Sequence, residues 1–421
     1  MTKRIWLSLA ILAVILVTLS FNMTSCLLLG FGNDYATKDD VEEMINKGMN
    51  GNITVEGGDN YNVTVNGTNT DTVSGAKALL SSVSIRCAFK TTSVQTGSII
   101  GSREKFSAGS GVIYKLDKNK GDAYIITNYH VVYHSQSNTE NRISDNISVF
   151  LYGQESESYA ISATYIGGSM NYDLAILKIS GSRILAESNA MAVSLADSNN
   201  VAVLDKAIAV GNSEALGISA TLGHINVDSE YITMEGADGT TEIQIRVMRT
   251  DTAVNSGNSG GGLFNSKGEL IGIVNAKLNN TDNMSYAIPS NFVKCVADNI
   301  IYYCDGTKLE GVYRCFLGIT VTPTQLYTVY DSERGIVLKK ETVSIMTVER
   351  DGLASGVLEV GDVINSITVD GVTYNVDRMY TVTDSMLCAR VGSTVIFNVT
   401  RNGATMDLKI DIKESSLTQI K

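Results

Sequence analysis

The chain has 421 residues, 44% of them apolar and 18% charged, with a net charge of −11. That length exceeds one typical domain, and the apolar share is enough for more than one core. The acidic balance, with no basic cluster to offset it, argues against a nucleic-acid partner. Loss of residues 1–25, with Lys3 and Arg4, would leave −13.

The start is basic, Lys3-Arg4, followed by an apolar run from Ile5 to Phe21 and then Met23-Thr24-Ser25-Cys26. A basic head, an apolar stretch, small residues and a cysteine make a bacterial lipoprotein signal with Cys26 as the lipidated residue. The rival is an uncleaved membrane helix, near the lower length limit for spanning. Under both readings residues 1–26 anchor the chain in a bacterial cell membrane, with the bulk on the extracytoplasmic side. Residues 27–75 read as a polar spacer: a short amphipathic helix over Lys38–Lys47, then Ile53-Thr54-Val55 and Val63-Thr64-Val65 as a hairpin.

From residue 76 short apolar runs alternate with turn signals. Six strands are expected at 83–90, 111–116, 124–127, 147–152, 160–166 and 173–179, and six more at 206–211, 222–227, 242–249, 262–265, 270–275 and 285–288. Pro289-Ser290-Asn291 then opens a helix to about Tyr303, proline suiting its first turn.

Three positions carry chemistry. Ser259 stands in Gly257-Asn258-Ser259-Gly260-Gly261-Gly262, where glycines permit a sharp turn and an exposed hydroxyl. The N–H groups of Gly257 and Ser259 can converge there as an oxyanion hole. A serine needs a base, and of His130, His134 and His224, His130 ends the apolar run Ile125-Ile126-Thr127-Asn128-Tyr129-His130. Asp173 opens another, Asp173-Leu174-Ala175-Ile176-Leu177-Lys178. The order His, Asp, Ser is that of the chymotrypsin-type double barrel. His134 lacks the glutamate of a metal-binding pair and reads as a loop residue, and His224 reads as a residue with no catalytic role.

The runs Thr127–Val132, Asp173–Lys178 and Gly257–Gly261 resemble the three catalytic blocks of HtrA/Deg serine proteases, with smaller matches at Gly109–Ile113, Ala209–Asn212, Gly268–Ile273 and Tyr286–Pro289. The resemblance spans about 76–421. It implies an all-β fold, a chymotrypsin-like double β-barrel over 76–305 followed by a small PDZ-like α+β domain over 312–421. Phe316-Leu317-Gly318-Ile319 resembles the carboxylate-binding loop of PDZ domains, and Asp351–Ile364 their helix-and-turn segment.

The resemblance implies a serine endopeptidase with His130, Asp173 and Ser259 as triad and no cofactor or metal. Unfolded proteins or peptides would be its substrates and a homotrimer its assembly. Asn275-Ala276-Lys277 would be the edge strand that pairs with substrate. Ala253, six residues before Ser259, replaces the acid of trypsin-like pockets, so cleavage after Lys or Arg is not implied. The family carries proline where Ser256 and Gly262 stand, which leaves open whether the oxyanion hole is formed at rest. Two other readings remain: a signalling protease that cuts one partner on peptide activation, and a non-catalytic peptide-binding chaperone. The six cysteines show no zinc spacing. They are read as mostly free and buried, with a bridge among Cys295, Cys304 and Cys315 as the alternative.

Overall fold

The computed structural model describes residues 52–56, 62–66, 70–95, 98–277 and 284–420. The apolar run Ile5–Phe21, Cys26 and the stretch Lys38–Lys47 lie outside the described residues. Among the described residues no helix is long and apolar enough to cross a membrane. Strands β1 (Asn52–Glu56) and β2 (Asn62–Asn66) pair antiparallel, with Ile53 opposite Val65 and Val55 opposite Val63.

Helix α1 (Thr70–Leu80) leads into β3 (Ser82–Gln95), β4 (Ser98–Asp117) and β5 (Asp122–Thr127). A single turn of helix, α2 (Tyr129–Val132), and then β6 (Asn146–Leu151), β7 (Ile161–Ser169) and β8 (Leu174–Ile179) complete the first half. These six strands close into a barrel in the order β3-β4-β5-β8-β7-β6. Alternation decides which way each strand faces. Along β3, Val83, Ile85, Cys87 and Phe89 are all buried and join the barrel core.

The second barrel has strands β9 (Lys206–Gly211), β10 (Ser219–Glu235), β11 (Glu242–Thr250), β12 (Gly262–Phe264), β13 (Leu270–Lys277) and β14 (Ser285–Pro289). It closes in the order β10-β11-β14-β13-β12-β9. Helix α3 (Ser290–Cys304) follows. Its Phe292, Val293, Val296 and Ile300 pack in one cluster with Ile126 and Ile176 of the first barrel and Ile208 and Ile273 of the second. The helix therefore ties the barrels together through burial of apolar area.

Strands β3 and β4 run further than the apolar pattern indicates, pairing out to Gln95 and Ser98. Exposed residues such as Arg103, Glu104 and Phe106 occupy that extension. A ribbon solvated on both faces has no apolar alternation to read.

The last part begins with β15 (Val312–Cys315), which pairs with the terminal β22 (Leu417–Ile420). Between them β16 (Ile319–Asp331), β17 (Ile336–Val348), β18 (Val363–Val369), β20 (Thr394–Arg401) and β21 (Ala404–Asp411) form one sheet, with β19 (Val372–Asn375) paired to β18. The segment Asp351–Ile364, expected as helix and turn, is a run of turns and bends that enters β18 at Val363, with no helix. Gly356 and Gly361 hold φ of 76° and 94° there, which no helix continues. The helix of this part is α4 (Tyr380–Cys388).

Helix α4 packs on α3, and Cys295 is bonded to Cys388 with the Cα atoms 5.3 Å apart. The bridge thus joins Cys295 to a residue outside the trio read from the sequence. Helix–helix packing across 93 residues of chain makes the pair, and sequence spacing carries no sign of it. Cys87, Cys304 and Cys315 are free and buried. Beside the bridge, Arg246 of β11 pairs with Asp384 of α4, and its guanidinium lies 3.8 Å from the Tyr380 ring centroid. Arg378 and Lys339 both reach Asp228 of β10, at 3.0 and 2.8 Å.

Candidate active site

Strand β5 ends in Thr127, and Asn128 follows it at the start of α2, both fully buried. Helix α2 starts there because Val131 and Val132 enter the core, which leaves His130 with its side chain 34% exposed. Asp173 stands just before β8 with φ of 46°, in the left-handed region that non-glycine residues rarely use. Its carboxylate is 4% exposed. Oδ1 accepts the His130 main-chain N–H at 3.0 Å, and Oδ2 lies 2.7 Å from His130 Nδ1. A carboxylate only accepts, so Nδ1 carries a proton, and in the neutral ring Nε2 is the acceptor. Burial works to lower the proton affinity of His130, and the charge and hydrogen bond of Asp173 outweigh it, raising the pKa above 6.5.

Ser259 sits in a turn that only glycine permits. Gly257 and Gly260 have φ of 92° and 83°. A Cβ on Gly260 would lie 2.2 Å from the Ser110 carbonyl oxygen, and one on Gly257 would lie 2.2 Å from that of Asn212. Backbone bonds from Gly260 N–H to Val274 and from Val274 N–H to Gly261 lash the turn to β13. The Ser259 hydroxyl donates to the Asn275 carbonyl at 3.2 Å.

The peptide before Gly257 has a defined direction. The Ser256 carbonyl accepts the N–H of Glu214 at 2.7 Å. Carbonyl and N–H point oppositely across a trans peptide, so the Gly257 N–H faces away from the Glu214 loop. Ser110, fully buried, braces the other side. Its hydroxyl donates to the Gly257 carbonyl at 2.7 Å and accepts the Asn212 N–H at 2.7 Å. Its main-chain N–H reaches the Ser259 carbonyl at 2.8 Å.

Residues 109–273 match the family described as trypsin-like peptidase domain. The Do-like serine protease HtrA of Lactococcus lactis subsp. cremoris is 31% identical over 389 residues, which cover 84% of this chain and 88% of the relative. The chain belongs to the HtrA family of serine proteases. It is a serine endopeptidase with a trypsin-like fold. A second HtrA, from Lactococcus lactis subsp. lactis, is 32% identical over 328 residues, 74% of this chain and 72% of its own. Among solved structures, the HtrA-type protease AlgW with decapeptide is similar at 23% identity and a TM-score of 0.49, over 82% of this chain and 98% of that one.

In this HtrA-family chain the other residues singled out from sequence fall as follows. His134 lies outside the cluster, its ring 5.4 Å from that of Phe89, with burial and then Lys105 lowering its pKa. His224 is exposed, and its main chain is tied to Asp251 and Thr250. Asn275, Ala276 and Lys277 lie on β13 beyond the last pair with β12, Gly262–Ile273. The Asn275 side chain turns inward to Asp173 Oδ2 at 2.5 Å. In the last part, Leu317 is buried and its carbonyl takes the Ala354 N–H, while Gly318 turns at φ 73° and Phe316 is 48% exposed. Among the described residues no cluster could hold a metal ion. The bracing residues Ser110, Asn128 and Glu214 carry no sequence signal of their roles, because their partners are distant in sequence.

Proposed function

We propose that the chain is a membrane-tethered, extracytoplasmic endopeptidase that cuts unfolded or damaged proteins through His130, Asp173 and Ser259. The 2.7 Å bond between His130 Nδ1 and Asp173 Oδ2, with Asn275 bonded both to Asp173 Oδ2 and to the Ser259 hydroxyl, carries this reading. The Ser259 hydroxyl leaves the Asn275 carbonyl and gives its proton to His130 Nε2 as Oγ attacks the scissile carbonyl. Asp173 holds the imidazole in the right tautomer and stabilises the imidazolium. The N–H groups of Gly257 and Ser259 take the negative charge of the tetrahedral oxygen. His130 then protonates the leaving amine, and water releases the acyl group by the same steps in reverse.

Residues 312–421 serve in this reading as a PDZ-like module. Phe316–Ile319 would capture a peptide carboxylate and the edge of β16 would add the peptide as a strand. The turn at Gly318 and the free edge of β16 in the sheet order support it. Cys26 would carry the lipid, and the chain would work as a trimer.

Casein digestion by the full chain tests the proposal, with cut sites read by mass spectrometry. Wild type cuts casein, and Ser259→Ala loses on the order of 10⁶ in turnover with its fold unchanged. A Ser259→Ala variant that still cuts would remove this serine from the mechanism.

A further inference from the structure

The hairpin of β16 and β17 runs past the rest of its sheet. β17 pairs with β16 down to Ile336 opposite Asp331, yet it meets β18 at the single pair Ser344–Val363. Further along, β19 takes that same side of β18, from Ser366–Asn375 to Val369–Val372, since β20 holds the other. β17 and β19 are therefore parallel, and each turns an edge toward the other.

The two edges are joined at one end. The Glu341 N–H donates to the Asp377 carbonyl at 2.8 Å. Main-chain groups alternate in direction along a strand, so Val337 and Lys339 point as Glu341 does, away from β16. The Val376 N–H goes to Asn365 of β18, so Thr373 and Asn375 point as Asp377 does, away from β18. None of these four residues has a main-chain partner on that side among the described residues. The edges border instead a cavity of about 680 Å³, within the size range of ligand sites.

An unpaired edge is a template for another strand, and proteins guard such edges with charge or proline. These edges carry neither guard. β19 reads Val372-Thr373-Tyr374-Asn375, without charge. Lys339 is paired with Asp228 at 2.8 Å, and Lys340 is paired with Asp377. Val337 and Val372 are 59% and 55% exposed.

We infer that the fork between β17 and β19 is a peptide-binding site: it takes an uncharged, extended stretch of an unfolded polypeptide, about four residues long, as a strand bonded to both edges. It lies across β17 from the β16 edge and needs no terminal carboxylate. The inference rests on the proposed substrate class only for the source of that stretch, and casein digestion with Ser259→Ala tests that class separately.

The probe is a fluorescein-labelled peptide of alternating threonine and valine, with an amidated C-terminus that denies it a carboxylate. Fluorescence anisotropy reads its binding to the full chain carrying Ser259→Ala, which spares it from cutting, and thermal unfolding monitors the fold. Val337→Pro and Thr373→Pro each delete one outward N–H and no ladder bond. Each should weaken binding about 3- to 10-fold at unchanged Tm, with Val337→Thr within about twofold of the parent. The same probe N-methylated at alternate amides keeps its side chains and should bind at least about 10-fold more weakly, an arm that needs no variant. No binding of the unmethylated probe, equal binding of the methylated one, or unchanged binding in both proline variants would overturn the inference. So would a probe-free chain that self-associates in sedimentation and loses that association with Val337→Pro, since the occupant would then be a second copy.

Discussion

The main-chain N–H of Glu214 holds the carbonyl of Ser256 at 2.7 Å, and Glu214 does so from a left-handed φ of 54°. Its neighbour Ala215 is also left-handed, at 56°. Two such residues in succession store strain on the loop that orients the Gly257 N–H. Glu214→Pro deletes that N–H and forbids the angle. Turnover should drop by about 10²- to 10³-fold, the effect of losing one oxyanion donor. Glu214→Gly keeps the N–H and accepts the angle, so its kcat should stay near wild type. Active-site titration with a covalent serine inhibitor would check both.

The pH dependence follows from His130, whose pKa Asp173 raises above 6.5 against the opposing effect of burial. The base works only when neutral. Activity should rise with pH through one ionisation above about 6.5 and then level off. Stability from the same group has the opposite sign. It is complete below the unfolded pKa of about 6.5 and is lost as pH rises through the higher folded value. His134→Gln and His224→Gln should leave the limb in place. A limb that vanishes in either variant would assign the base elsewhere.

Asp384 is raised to about 6, chiefly by burial, with Arg246 pulling the other way. The folded chain therefore binds this proton more tightly than the unfolded one, and stability from this carboxyl falls as pH rises from about 4 to about 6. Arg246→Met raises the value further, so the carboxyl keeps its proton to higher pH. Its pH-dependent cost should be small at pH 5 and reach at most about 2 kcal/mol at pH 7.5. Arg246→Met combined with Asp384→Leu should recover most of that loss. Urea unfolding at the two pH values measures both.

The Cys295–Cys388 bridge closes a loop of 93 residues. Cys388→Ser should lower stability by roughly 2–4 kcal/mol, and wild type under reducing conditions should fall to the same Tm. Calorimetry with and without dithiothreitol would show whether the two coincide.

His130, Asp173 and Ser259 are legible in sequence because each ends or opens an apolar run, or stands among glycines, within a few residues of chain. The supports of the site are not. Ser110 reaches Gly257 across 147 residues and Asn275 reaches Asp173 across 102. Such contacts exist only after both barrels close. Asn275 illustrates the limit: its place on the strand was legible, and the inward turn of its side chain depends on a bulge that no alternation pattern marks. Helix α4 was missed for a related reason. Thr381, Val382, Ser385, Met386 and Leu387 are buried on it, a polar and apolar mixture with no clean helical stripe.

An endopeptidase is its own nearest substrate. The hairpin of β16 and β17, with Leu326 and Tyr330 at 75% and 67% exposure, lies between Cys295 and Cys388 in the chain. A cut there leaves the two pieces joined through the bridge. The nicked molecule migrates whole on a gel without reductant and splits only when a thiol is added, so self-damage at this hairpin neither sheds the last part of the chain nor frees the barrels from it.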